Sequence, residues 1–224
     1  MMKLLLFKKR QLWLPTWPVC LGGSVVFVLL AIWIFSGLHR FLAVSRPAEG
    51  AQIMVVEAWV SDPHIEQIAT MLQAEDSPYK EAWLTGPKLD HGSILITEDR
   101  DSFAELTGES LLALGVPQEK IHVVPAADTL LHRTWNAATK LKEEFEQKAG
   151  TTPDRFDLFT EGTHSRRSRL VFEKVFGDGV QIGVVALEPV AYDAATWYKS
   201  SAGMKGTLLE LIAYIYEKIG NSGR

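Results

Sequence analysis

The chain has 224 residues, 23 of them basic and 27 acidic, for a net charge of −4, and 47% of it is hydrophobic. That is enough for one domain and an appendage, and the acidic balance argues against a nucleic-acid partner. The single cysteine, Cys20, excludes an internal disulfide, and no Cys/His spacing suggests a metal site.

Residues 18–38, PVCLGGSVVFVLLAIWIFSGL, carry no charge. About 20 apolar residues cross a hydrocarbon core of roughly 30 Å as a helix. Lys3, Lys8, Lys9 and Arg10 precede this run, and no acid occurs before Glu49. By the positive-inside tendency, residues 1–17 stay in the cytoplasm, 18–38 anchor the chain in the lipid bilayer, 39–50 form a linker, and 51–224 lie on the periplasmic or extracellular side of the inner membrane. The alternative is a cleaved signal peptide, whose apolar region is usually about 7–15 residues long and ends in a small-x-small site that GLHRFLAVSRP does not offer. With the five basic residues up to Arg40 set aside, 18 basic residues face 27 acidic ones, so the exported part carries −9.

After the linker an alternation begins. AQIMVVEAWV reads as a buried strand. DPHIEQIATMLQAE follows as a helix, with Asp62 as a possible N-cap and Pro63 in the first turn. EAWLTGP is a strand, DSFAELTGESLLALGVP a helix, KIHVVPA a strand and TWNAATKLKEEFEQ a helix. RFDLFTEG, HSRRSRLVFEKVFG and VQIGVVALE then read as strand, helix and strand. The alternation predicts an α/β, Rossmann-like domain with a mainly parallel sheet and helices on both faces. The last helix, TLLELIAYIYEKIG, spans 14 residues, too few for a second crossing, and is predicted to cover the core.

Ligands of open α/β sheets bind beyond the carboxyl ends of the strands. Those ends are Glu57-Ala58-Trp59, Thr85-Gly86, Ala127-Asp128, Thr160-Glu161-Gly162-Thr163-His164 and Glu188. In the fourth helix Ser168, Val171, Phe172 and Val175 mark the core-facing stripe. His164 lies one turn before Ser168 and Arg167 flanks the stripe, whereas Arg166 and Arg169 project away into solvent. Two readings of Arg167 stand open. It forks an anion beside the helix N-terminus, with Gly162 allowing close approach, or it pairs with a carboxylate such as Glu57 or Glu161.

These residues also carry a resemblance. The chain resembles the SanA/ElyC/YdcF family of bacterial Rossmann-like domains, many of them membrane-anchored. That family typically carries T-S-x-x-H-x-x-R after its fourth strand. Thr160, His164 and Arg167 match it, and Glu161 replaces the serine. LLALGVP matches its leucine-rich helix end, and Thr134 matches the start of its T-x-E-N-A helix, with Asn136 in place of the Glu and Ala137 in place of the Asn. VVEAWV, HRTW and HSRRSRLVF are similar to one branch. The glycine pair usual after the first strand is absent, and only Gly86 remains after the second. The similarity covers roughly residues 51–220. It implies work in cell-envelope or polysaccharide biogenesis on an anionic, phosphorylated or nucleotide-like ligand. It leaves open whether a reaction is catalysed, and no cofactor is identified.

Two functions follow as expectations. In the first, His164 acts as acid/base, Glu57 orients it or a water, and Thr85, Gly86, Arg133, Thr134, Thr160, Gly162, Thr163 and Arg167 bind the ligand. In the second, the domain is a non-catalytic accessory subunit of a membrane protein complex with a vestigial site. The topology is directly testable: a reporter that is active only when exported, fused after Arg224, should be active. Activity of a cytoplasm-only reporter at that position would refute the orientation.

Overall fold

A computed structural model describes residues 14–220 apart from 90–92, 98–99, 128 and 130. The basic residues before position 14 and the strand exit expected at Asp128 lie outside the described residues. The chain divides between Leu38 and His39 into an apolar helical unit and an α/β domain. Helix α1 runs Trp17–Leu42. It is long and apolar enough to cross a membrane and carries side chains such as Phe27, Trp33 and Ile34 exposed along its length.

The domain is built on a five-stranded parallel sheet of order β3-β2-β1-β4-β5, with β1 Ile53–Glu57, β2 Glu81–Gly86, β3 Ile121–Pro125, β4 Arg155–Glu161 and β5 Gln181–Leu187. Helices α2 (Asp62–Gln73) and α3 (Phe103–Ala113) cover one face; α4 (Arg133–Ala149) and α5 (Ser165–Phe176) cover the other. Alternation along each strand divides the core accordingly. Met54, Val56 and Leu84 meet Ile65, Ile68 and Leu111 on the first face. Val55, Trp83 and Leu158 meet Leu141, Phe145 and Phe172 on the second. This is the α/β, Rossmann-like architecture expected from the alternation.

Local chemistry explains the helix starts. Ser102 and Glu105 close a capping box at α3. At α2 the N-cap is Ser61, so Asp62 is the first helical residue instead of the cap; its carboxylate still sits favourably in the first turn.

Two expectations require correction. Residues 39–50 are not a free linker. Leu42 is fully buried, Arg46 exchanges backbone hydrogen bonds with Val184 of β5 (2.7 and 3.0 Å), and the Ala48 N–H donates to the Asp157 carboxylate (2.7 Å). An extended segment beside a sheet edge satisfies its backbone there. The last helix, α6 (Ser201–Ile219), does not cover the core either. It buries Gly203, Thr207 and Glu217 and leaves Leu209, Ile212, Ile215, Tyr216 and Ile219 exposed.

The packing under the 39–50 segment leaves no room at Gly183, where an added Cβ would lie 1.9 Å from the Asp157 carboxylate and 2.2 Å from the Ala48 nitrogen. Gly183→Ala should therefore cost about 3 kcal/mol or more in denaturant unfolding of the full chain in detergent. Gly179→Ala, whose Cβ meets nothing within 4 Å, should be nearly neutral.

Candidate functional site

A cavity of about 750 Å³ opens at the carboxyl edge of the sheet, on the face covered by α4 and α5. Strand alternation decides which exits reach it. Glu57 and Thr85 follow Val55 and Trp83 on that face and line the cavity, with Gly86 beside them. The start of α4 contributes His132, Arg133, Thr134 and Trp135. His164, Arg167 and Val171 enter from α5 and the turn before it, and Glu210, Ala213, Tyr216 and Glu217 from α6.

The floor is a set of linked ionisable groups. Glu57 is 3% exposed and accepts a hydrogen bond from Ser168 Oγ (2.7 Å). Its Oε2 lies 3.7 Å from His164 Nε2, near enough for charge interaction and too far for a direct hydrogen bond. On the other side of the ring, His164 Nδ1 donates to Glu210 Oε1 (2.9 Å). A carboxylate can only accept, so in this contact the ring donates through Nδ1, with Nε2 turned toward Glu57 and Arg167 Nη2 close to both ring nitrogens. The Trp59 ring meets the imidazole edge to face at 4.8 Å.

Arg167 clasps the same carboxylate. Its Nε donates to Glu210 Oε2 (2.9 Å) and its Nη2 to Oε1 (3.2 Å), a two-pronged grip. Nη1 reaches Thr134 Oγ1 (3.3 Å), and Nη2 lies 2.9 Å from His164 Nδ1 and 3.1 Å from Nε2. Burial alone would weaken the charge on Arg167, but Glu210 above all, with Glu57 and Glu217, holds it raised above its usual pKa. Burial likewise opposes ionisation of Glu210; its contacts with His164 and then Arg167 outweigh that and bring its pKa down to about 2.

Seven of the residues proposed from sequence meet in this cavity: Glu57, Thr85, Gly86, Arg133, Thr134, His164 and Arg167. Three do not. Thr160 is fully buried, its hydroxyl without a hydrogen-bond partner among the described residues. Gly162, at φ +48°, and Thr163 form the tight turn into α5 and pack toward Tyr192. That turn also takes the first N–H of α5, since Ser165 donates to the Gly162 carbonyl. Glu161 faces the opposite side of the sheet, 3.8 Å from His64. Arg167 thus pairs with a carboxylate, but with Glu210 rather than Glu57 or Glu161. Arg169 lies on the surface paired with Glu173 (2.8 Å). Arg166 is not simply solvated: it donates to the Phe41 carbonyl and stacks over the Phe41 ring.

Sequence reasoning did not reach Glu210 and Glu217 as site residues. A signal existed in the spacing Gly203, Thr207, Glu210 and Glu217, which places small and polar residues on one stripe of an otherwise apolar helix. Among the described residues no group of three or more His, Cys, Asp or Glu side chains is arranged to hold a metal ion.

No protein-family model matches the chain, and no curated protein matches it. Among solved structures, the chain is similar to the HAD domain of the effector protein Lem4 from Legionella pneumophila, an inactive mutant. That similarity has 10% identity and a TM-score of 0.33, covering 70% of this chain and 98% of that one. Nothing about activity follows from it.

The depressed pKa of Glu210 makes a pH prediction. Relative to the ordinary 4.5, its ionised form adds stability that is complete above pH 4.5, declines below it, and is gone once the pH falls past about 2. The contribution is on the order of 3 kcal/mol. Glu210→Gln should lower stability at neutral pH and flatten the fall of stability between these two pH values, as read by denaturant unfolding at each pH. An unchanged profile would show that the carboxylate is not held as described.

Proposed function

We propose that this chain is a membrane-anchored member of the SanA/ElyC/YdcF group whose cavity, on the periplasmic or extracellular side, binds and processes an anionic, phosphate-bearing ligand in cell-envelope or polysaccharide biogenesis. The observation that carries this reading is the His164 imidazole fixed between two carboxylates at the cavity floor, with Nδ1 bonded to Glu210 and Nε2 turned toward Glu57. A histidine oriented in this way is fitted for proton transfer at Nε2. A ligand hydroxyl or a water bridging Nε2 and Glu57 from the cavity side would donate its proton to Nε2 as its oxygen takes up a new bond, while Glu57 orients it. Arg167 and Glu210 are positioning residues that hold the ring.

Because Glu210 already satisfies Arg167, the anionic group is assigned to the other cation of the cavity. Arg133 lines the mouth, is exposed, and makes no ion pair among the described residues. It opens helix α4, whose N-cap residue, His132, offers no side-chain hydrogen bond to the first turn. Unpaired first-turn N–H groups and the helix dipole favour an anion there. His132 itself sits at φ 53°, a left-handed conformation uncommon outside glycine, held where the chain turns into the cavity wall.

The accessory-subunit reading is favoured by one observation, the internal carboxylate of Glu210 lying where an anion would otherwise meet Arg167. Binding separates the two. Full-length protein in lipid nanodiscs, titrated with a sugar phosphate and with a long-chain isoprenyl phosphate, should bind at least one of them saturably. Arg133→Ala should weaken that binding by about tenfold or more, whereas Arg169→Ala should leave it unchanged. His164→Ala should retain binding and lose turnover. Failure of both probes to bind would favour the accessory role.

A further inference from the structure

Helix α6 is amphipathic in the reverse of the usual sense. Its inward stripe is Gly203, Thr207, Glu210 and Glu217. Its outward arc carries Leu209, Ile212, Ile215, Tyr216 and Ile219, between 45% and 83% exposed. Both acids of the helix lie on the inward side: Glu210 is tied to His164 and Arg167, and Glu217 to Lys174. The helix also carries Lys205 and Lys218. A domain with a charge balance of −9 thus presents one helical face that is apolar and free of acid. A contiguous apolar row of this kind calls for an occupant.

The chain itself indicates which occupant. The apolar span ends at Leu38, and the residues that follow are held in the domain beside α6. Phe41 packs edge to face on Tyr214 of α6 (5.8 Å), Arg166 stacks over Phe41, and Leu42 is fully buried. Phe41, three residues after Leu38 in the chain, thus touches the middle of α6. A second copy of the chain is a poorer fit. A 19-residue helix is about 28 Å long, and a strip about 10 Å wide along it offers roughly 300 Å², against about 800 Å² per partner in a stable interface. A bilayer surface requires no such complementary area. It suits an apolar arc with an aromatic residue, bounded by lysines.

We propose that α6 is an interfacial helix that rests on the bilayer spanned by α1, with Leu209, Ile212, Ile215 and Ile219 in the headgroup and upper acyl region and Tyr216 at the rim between that face and the cavity. This docking is independent of what the cavity binds. The opposite edge of the same helix carries Glu210 and one wall of the cavity, so docking would bring that wall to the membrane surface.

The test uses full-length protein with Cys20→Ser as background. Single cysteines introduced as Ile212→Cys, Ile219→Cys and, on exposed α4, Glu143→Cys carry an environment-sensitive fluorophore. The protein is reconstituted in phosphatidylcholine–phosphatidylglycerol vesicles with or without spin-labelled acyl chains. Spin-labelled lipid should quench the fluorophore at positions 212 and 219 by about twofold or more and leave position 143 unaffected, as expected for an interfacial helix inserted about 5–10 Å. Leu209→Cys provides a further outward position should Ile219→Cys fray at the helix end. Absence of lipid quenching at the outward positions would overturn the proposal. A blue-shifted emission without lipid quenching would overturn it equally, by showing that protein covers the face.

Discussion

One carboxylate organises this domain. Glu210 accepts from the His164 ring and from two nitrogens of Arg167, and these contacts join α6 to α5 across the mouth of the sheet. Buried charges are tolerated only when paired and hydrogen-bonded, so the rotation of α6 about its axis is set by where Glu210 must sit. Glu217, two turns later and bonded to Lys174, fixes the same rotation a second time. A helix has a single period of 3.6 residues. Once positions 210 and 217 face inward, positions 212, 215 and 219 are forced outward. The wall of the cavity and the apolar outer face are two consequences of one constraint.

The sheet supplies the other half of the geometry. Parallel strands place their exits along one edge, and alternation chooses between the two faces. Glu57 and Thr85 reach the cavity because they continue the face of Val55 and Trp83. Glu161 turns away to His64. Thr160 follows Leu158 on the proper face but is fully buried, so a correct face does not guarantee access. The start of α5 is also where the chain enters the domain. Ser165 donates to the Leu42 carbonyl (3.1 Å) and accepts from the Val44 N–H (2.7 Å). The histidine of the site and the first residues after the apolar span are therefore positioned by adjacent residues of one turn.

The elements themselves were legible in the sequence, because periods of two and of 3.6 and the Gly and Pro stops are local signals. The division between Arg167 and Arg166 was legible for the same reason: helical spacing distinguishes the flank of a core stripe from its outer side. The partner of Arg167 was not. Glu210 lies 43 residues away along the chain, and nothing local at either position records that pairing. The role of α6 was misread on similar grounds. Periodicity reveals an apolar arc but not whether the domain covers it, and here the domain takes the polar stripe instead. The segment 39–50 reads as a linker by composition; its bridge to β5 depends on the exposed sheet edge that it happens to pass.

Charge pairing also gives the cavity a direction. Glu210 has Arg167, Glu217 has Lys174, and Arg133 at the mouth makes no ion pair among the described residues. Glu57, at the floor, has Ser168 and faces the ring of His164. The uncommitted positive charge is thus outermost and the buried carboxylate innermost. Under the proposed reading, an anionic group would stop at Arg133 and the first turn of α4, because moving deeper brings it against Glu210 and Glu57 in a medium where like charges repel strongly. The portion of the ligand that reaches His164 would then be neutral and hydroxyl-bearing, packed against Trp59. Such polarity suits a phosphate held at the mouth, with the reacting hydroxyl or water at the floor beside His164.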